Sequence, residues 1–163
     1  MTSRLSERRK VAAAIVAGGA GRRMGGVDKT KLVIAGQTIL ERQLAVLKPR
    51  FSRVFLVTAP PSDNPAPLHT RLPARLHEVH DRGAPGRGPL AGIEAALAAL
   101  SADEDAVVCV AGDMPLLQPA LLELVRDQAP AALAVVPRLG RDRRPEPLLA
   151  RYQRGCLPAI VAA

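Results

Sequence analysis

Apolar runs of strand length alternate along this chain with stretches in which apolar residues recur every three or four positions. Residues 11–17 (VAAAIVA) form the first run, closed by Gly18-Gly19, and Leu32-Val33-Ile34 a short second one. Thr38 and Glu41 have capping-box spacing, in which a hydroxyl and a carboxylate three residues apart each satisfy a backbone N–H at a helix start. Leu40, Leu44 and Leu47 then share one helical face until Pro49 stops it. Val54–Val57 predicts a strand. Five prolines between positions 59 and 75 remove too many backbone donors for regular structure, so that stretch reads as a surface loop. Residues 76–80 return as a short strand. Gly88-Pro89 opens a helix with Ile93, Ala96, Leu97 and Leu100 at helical spacing. Ala106–Ala111 is an apolar strand, a helix begins near Pro119 with Leu121, Leu122 and Val125 inward, and Ala132–Val136 is a further strand. Pro147–Ala150, after Arg143-Arg144-Pro145, reads as an antiparallel edge.

Strands that are apolar throughout and separated by helices pair in parallel with both faces covered. The expected fold is a three-layer α/β sandwich with a mostly parallel sheet. Such sheets bind ligands at the carboxyl ends of their strands, which singles out the loops after residues 17, 57, 80 and 111.

At 163 residues, 48% of them hydrophobic, the chain is long enough for one domain with a substantial core. The 2 Phe, 1 Tyr and absence of Trp make that core aliphatic and leave little for an aromatic platform that stacks bases. The net charge of +8 is concentrated. Residues 1–10 carry +3 and residues 138–154 carry +4, while the rest balances 13 basic against 12 acidic residues. A basic tail over residues 1–10 and one basic segment suit a small anionic ligand, and no nucleic-acid partner is expected. Two cysteines make no disulfide framework, and Cys109, inside an apolar run, behaves as a small buried hydrophobe, so the chain reads as cytoplasmic. The basic start before residues 11–17 imitates a signal peptide. Arg22, Arg23, Asp28 and Lys29 follow at once, however, and the run is far short of the ~20 residues of a membrane helix. It reads as a buried first strand, with no membrane partner.

Three strand-end loops carry candidate chemistry. The first, Gly18 to Lys29, combines five glycines, which let backbone approach a ligand, with Arg22, Arg23 and Lys29, which suit phosphates. It is no dinucleotide fingerprint, since Met24 stands at the third glycine position. Nor is it a P-loop, since Val27 and Asp28 replace the Lys and Ser/Thr. The second begins at Asp81, ahead of Gly83, Gly86 and Gly88. The third is Gly112-Asp113-Met114-Pro115, where a carboxylate at the end of an uncharged strand can hold Mg²⁺ against phosphate oxygens. A cationic glycine-rich loop with two crevice carboxylates suits nucleotidyl transfer.

In this order, Val16-Ala17-Gly18-Gly19, Arg23 to Lys29 (RMGGVDK), Asp81 with Pro85 to Ile93 (PGRGPLAGI), and Gly112 to Pro115 (GDMP) resemble the molybdenum cofactor guanylyltransferases. These lie within the wider family of Rossmann-like nucleotidyltransferases, and the resemblance covers roughly residues 11–150. Gly18 favours this branch over the related cytidylyltransferases, which more often have Ala there. The resemblance implies transfer of GMP from MgGTP to the phosphate of molybdopterin, giving the guanine dinucleotide cofactor and pyrophosphate. It implies that Val16, Ala17, Gly18 and Gly19 contact the nucleotide through backbone groups, that Lys29 and Arg23 grip phosphates, that Asp81 holds the guanosine and that Asp113 binds Mg²⁺. Lys29, Asp113 and Arg23 would carry the catalysis. Partners would be GTP, molybdopterin and proteins of molybdenum cofactor assembly or the receiving apoenzymes. Where the family usually has Asn after its second long strand, this chain has Val57 and Thr58. Residues 11–163 are expected to form a single nucleotidyltransferase domain lacking the family's Asn-x-Asn-Thr-Pro-like C-terminal segment. A cytidylyltransferase or other nucleotidyltransferase of the same fold, and a nucleotide-binding remnant without turnover, are the alternatives.

Overall fold

The computed structural model describes residues 10–17, 29–60, 76–81 and 87–163. The basic tail before Lys10, most of the first glycine-rich loop, most of the proline-rich segment and residues 82–86 lie outside the described residues.

The central sheet has six strands: β1 (Lys10–Val16), β4 (Val54–Thr58), β5 (Leu76–His80), β6 (Glu104–Ala111), β7 (Ala134–Val135) and β10 (Leu149–Gln153), in the order β5-β4-β1-β6-β10-β7. The first four in that order run parallel, with Ala13 beside Val54 and Val108, and Leu56 beside Glu78. Strand β10 is antiparallel to both its neighbours. Two small hairpins complete the strands, β2 (Val33–Ile34) with β3 (Gln37–Thr38) and β8 (Arg138–Leu139) with β9 (Arg144–Pro145).

Helices cover both faces. On one, α1 (Ile39–Leu47) and α3 (Pro119–Asp127) set Leu40, Leu44, Leu47, Leu122 and Val125 against Ala13, Ile15, Leu56 and Val108. On the other, α2 (Pro89–Ala98) and α4 (Leu157–Val161) set Ile93, Leu97 and Ile160 against Ala12, Ala14, Phe55 and Val107. This is the expected three-layer, mostly parallel α/β architecture. The capping box also forms: Thr38 Oγ1 accepts from Glu41 N at 3.1 Å, and Glu41 Oε2 accepts from Thr38 N at 2.8 Å. Cys109 is buried, and the loss of hydration pushes its thiol up to about 12, so it stays protonated.

The end of the chain corrects the sequence reading. The strand expected over Pro147–Ala150 as a sheet edge instead spans Leu149–Gln153 and lies inside the sheet, between β6 and β7. Its sequence hides this because Arg151 and Tyr152, polar by type, are buried. Arg151 donates to the carbonyls of Arg126 (3.3 Å), Ala129 (2.8 Å) and Ala132 (3.2 Å) around the end of α3, and Tyr152 Oη donates to Pro147 O at 2.9 Å. The strand expected at Ala132–Val136 shrinks to two residues and takes the edge instead.

At the amino edge of the sheet, Glu104 is buried under a network of donors. It accepts from Ser52 Oγ (2.6 Å), Ser101 N (3.0 Å), Ser101 Oγ (3.0 Å) and Arg53 Nε (3.0 Å), and Arg53 Nη2 closes the pair. Burial alone would raise its pKa, but the bonds from Arg53, Ser52 and Ser101 outweigh it and hold the carboxyl at about 2. This edge is the opposite one from the candidate site, so the network is structural.

Candidate active site

Because β1, β4, β5 and β6 are parallel, their carboxyl ends meet at one edge of the sheet, and backbone bonds lace those ends together. Ala17 N donates to Val57 O (2.8 Å), Gly112 N to Val16 O (3.0 Å) and Asp81 N to Thr58 O (2.9 Å). Val16, Ala17, Asp81 and Asp113, which sequence reasoning chose from separate stretches, therefore belong to one row of strand ends. The Asp113 side chain is exposed there and that of Asp81 half-buried.

Lys29 opens a short 3-10 turn over Lys29–Lys31. The next residue, Thr30, is buried and lies against the loop after β6: a Cβ placed on Gly112 would stand 3.2 Å from Thr30 Cγ2, 3.2 Å from Ala17 Cβ and 3.3 Å from Ala17 Cα. The backbone at Lys29 thus returns to the same strand ends. Glycine at 112 lets the chain after β1, the turn at Thr30 and the Asp113 loop approach so closely that a methyl group would fit only if its neighbours gave by a few tenths of an ångström. Gly18, Gly19, Arg22 and Arg23 lie outside the described residues.

The second face contributes a similar close approach. A Cβ on Gly92 of α2 would lie 2.5 Å from Val16 Cγ1. Glycine there lets α2 sit directly on the end of β1.

Thr58, the polar residue where Asn is usual in the resembling family, is buried and engaged within the sheet. Its hydroxyl donates to Glu78 Oε1 at 3.2 Å and lies 3.1 Å from His80 Nδ1.

Sequence reasoning missed Gln43. It lies on α1 between Leu40 and Leu47, is 1% exposed, and its Nε2 donates to Ala111 O (2.7 Å) and Met114 O (3.0 Å), on either side of Asp113. The available signal was an amide on the inward stripe of an amphipathic helix, where burial demands a polar partner. Beyond the loop, Met114, Pro115, Leu117, Leu121 and Leu149 help to line a cavity of about 340 Å³ that Asp113 also borders.

The donor chemistry at Asp113 is that of a hard oxygen ligand, suited to Mg²⁺ or Mn²⁺. Among the described residues no three His, Cys, Asp or Glu side chains group closely enough to hold a metal ion. A cation at Asp113 would complete its shell with phosphate oxygens and water, the usual habit of Mg²⁺ in nucleotide sites. Among the described residues no helix is long and apolar enough to cross a membrane.

A mostly parallel sheet with carboxylates at the carboxyl ends of β5 and β6, on either side of β1 and β4, has the arrangement of a ligand-binding α/β domain. Comparison with known proteins makes the class specific: residues 13–163 match the MobA-like NTP transferase domain, and the chain belongs to that family. Among curated relatives, the probable molybdenum cofactor guanylyltransferase of Methanosarcina acetivorans is 38% identical over 150 residues, covering 91% of this chain and 66% of its own length. The chain thus spans just under two thirds of that relative. The crystal structure of molybdopterin-guanine dinucleotide biosynthesis protein A from Archaeoglobus fulgidus is similar at a TM-score of 0.70 and 28% identity, over 93% of this chain and 72% of that one. Rv0371c from Mycobacterium tuberculosis, solved in complex with manganese, shares the fold at a TM-score of 0.66 and 21% identity, over 94% of this chain and 76% of that one.

Proposed function

We propose that this domain transfers GMP from GTP to the phosphate of molybdopterin, giving the guanine dinucleotide form of the molybdenum cofactor and pyrophosphate. In this reaction an oxygen of the pterin phosphate bonds to the α-phosphorus of GTP while the bond from that phosphorus to the α–β bridging oxygen breaks. The electron pair leaves with pyrophosphate, so no covalent intermediate with the protein is required. The observation that carries the reading is the tie between β1 and the Asp113 loop, Gly112 N to Val16 O, in a chain of this family.

In this reading Val16, Ala17, Gly18 and Gly19 present backbone groups to the nucleotide, and Asp81 holds the guanosine. Lys29 and Arg23 neutralise the phosphates and, with Asp113, form the catalytic set. Asp113 is the Mg²⁺ ligand. A bound Mg²⁺ would offset charge on the triphosphate and on the departing pyrophosphate. Rv0371c, a protein of the same fold, was solved in complex with manganese, which is in keeping with use of a divalent cation. The reaction belongs in the cytoplasm, with cofactor assembly proteins or receiving apoenzymes as partners, and residues 11–163 act as one domain.

The test is pyrophosphate release from MgGTP with molybdopterin, comparing the parent chain with Asp113→Ala. The variant is expected to lose Mg²⁺-dependent transfer while the domain still folds, since the residue is exposed. Substantial residual turnover would remove Asp113 from the metal site. Faster turnover with MgCTP would move the chain to the cytidylyl branch, and nucleotide binding without pyrophosphate release would make it a binding module.

A further inference from the structure

Gln43 is buried at the level of the deepest aliphatic residues, yet it reaches from α1 to the loop that carries Asp113 and touches that loop twice. Its Nε2 lies 2.7 Å from Ala111 O and 3.0 Å from Met114 O. Two carbonyl oxygens at those distances require a donor, so the orientation of the amide follows from its neighbours. Both N–H groups are used. Its Oε1 is buried without a hydrogen-bond partner among the described residues, a penalty that an aliphatic residue here would not incur.

Three backbone bonds among the described residues also hold this loop. Ala111 N donates to Leu148 O, Gly112 N to Val16 O, and Met114 N to Ala111 O at 3.3 Å. Those bonds fix the end of β6 and close a turn within the loop. Gln43 fastens both sides of that turn to a helix, and α1 is itself anchored at its start by the Thr38 and Glu41 cap. One side chain therefore ties the backbone on both sides of Asp113, at Ala111 and Met114, to α1.

We infer that Gln43 is a positioning residue for the cation site: by clamping Ala111 O and Met114 O it holds the Asp113 carboxylate where a nucleotide-bound divalent cation is received. This rests on the reading of Asp113 as the metal carboxylate. Residues that orient a ligand from behind typically contribute 10–100-fold to metal affinity.

The experiment measures free Mn²⁺ by electron paramagnetic resonance during titration of the chain with GTP present, alongside GTP affinity in EDTA and thermal unfolding. The chains compared are the parent, Asp113→Ala, Gln43→Met and Gln43→Glu. Gln43→Met keeps the volume and removes both donors. Gln43→Glu keeps the shape and, when ionised, sets oxygen against oxygen.

Both Gln43 variants are expected to weaken Mn²⁺ binding about tenfold, with GTP affinity in EDTA changed less than about twofold. Loss of Mn²⁺ and metal-free GTP binding together would overturn the positioning role in favour of a general structural one. If one variant unfolds, the other carries the comparison. If Asp113→Ala leaves Mn²⁺ affinity unchanged, the metal reading of Asp113 fails and this inference falls with it. If Asp113→Ala weakens it and the Gln43 variants do not, the inference about Gln43 alone is overturned.

Discussion

Asp113 and Gly112 work as a pair in which one residue supplies a charge and the other permits its placement. The glycine is favoured by contact and not by an unusual dihedral: the neighbouring Ala17 backbone and Thr30 methyl stand 3.2–3.3 Å from where a Cβ would be. In Gly112→Ala the Ala17 backbone has little freedom to retreat, so the loop must shift by a few tenths of an ångström. The expected result is a several-fold loss of Mn²⁺ affinity in the presence of GTP, against a modest fall of about 1 kcal/mol in unfolding free energy from denaturant titration. Unchanged metal affinity would show that the close approach tolerates a methyl group. At this scale sequence patterning picked out Asp113, because a carboxylate stands out at the end of an uncharged strand, and Asp81, because it closes a short strand ahead of Gly83, Gly86 and Gly88. It missed Gln43, because one amide within a helical stripe is indistinguishable by sequence from a solvated one until the helix docks.

The elements that build the edge owe their placement to local rules and to how closely they pack. Helix α1 starts where the capping box said it would, and its cap anchors the helix from which Gln43 extends. Thr38→Ala removes the acceptor for Glu41 N and is expected to cost about 1 kcal/mol, read as a lower denaturation midpoint at unchanged slope. Helix α2 depends on a different rule, since Gly92 lets it lie against Val16. Gly92→Ala places a methyl group 2.5 Å from Val16 Cγ1, and the valine, branched at Cβ, moves only with its backbone or rotamer. That variant is expected to lose stability by about 1–3 kcal/mol, as in overpacked cores, and to weaken GTP binding in EDTA more than Thr38→Ala does. Equal GTP affinity in the two variants would separate α2 packing from the nucleotide edge. Strand β10 shows the limit of element-scale reasoning. Leu-Ala-Arg-Tyr-Gln does not read as an interior strand until the carbonyls at the end of α3 are available to Arg151.

Across the whole molecule the two edges of the sheet divide the work: carboxyl ends gather the candidate chemistry, and the amino edge holds Glu104 with Arg53, Ser52 and Ser101. The carboxyl of Glu104 drops from an ordinary value of 4.5 to about 2 on folding. The folded state therefore binds this proton less readily than the unfolded chain, and the contribution, about 3 kcal/mol, is present above pH 4.5 and lost as pH falls towards 2. Thermal midpoints measured between those limits are expected to fall more steeply for the parent chain than for Glu104→Gln, which starts lower; parallel curves would refute the assignment. The layering, the parallel core strands, the cap of α1 and the carboxylates at strand ends were legible in the sequence. Each depends on periodicity, local bonding or the rule that parallel strands share an end. Which strand occupies the edge, the burial of Arg151 and Glu104, the contact of Gly92 with Val16 and the clamp of Gln43 on the Asp113 loop were decided by the tertiary structure alone. They join residues far apart in the chain, and a polar side chain becomes cheap to bury only when folding delivers its partners.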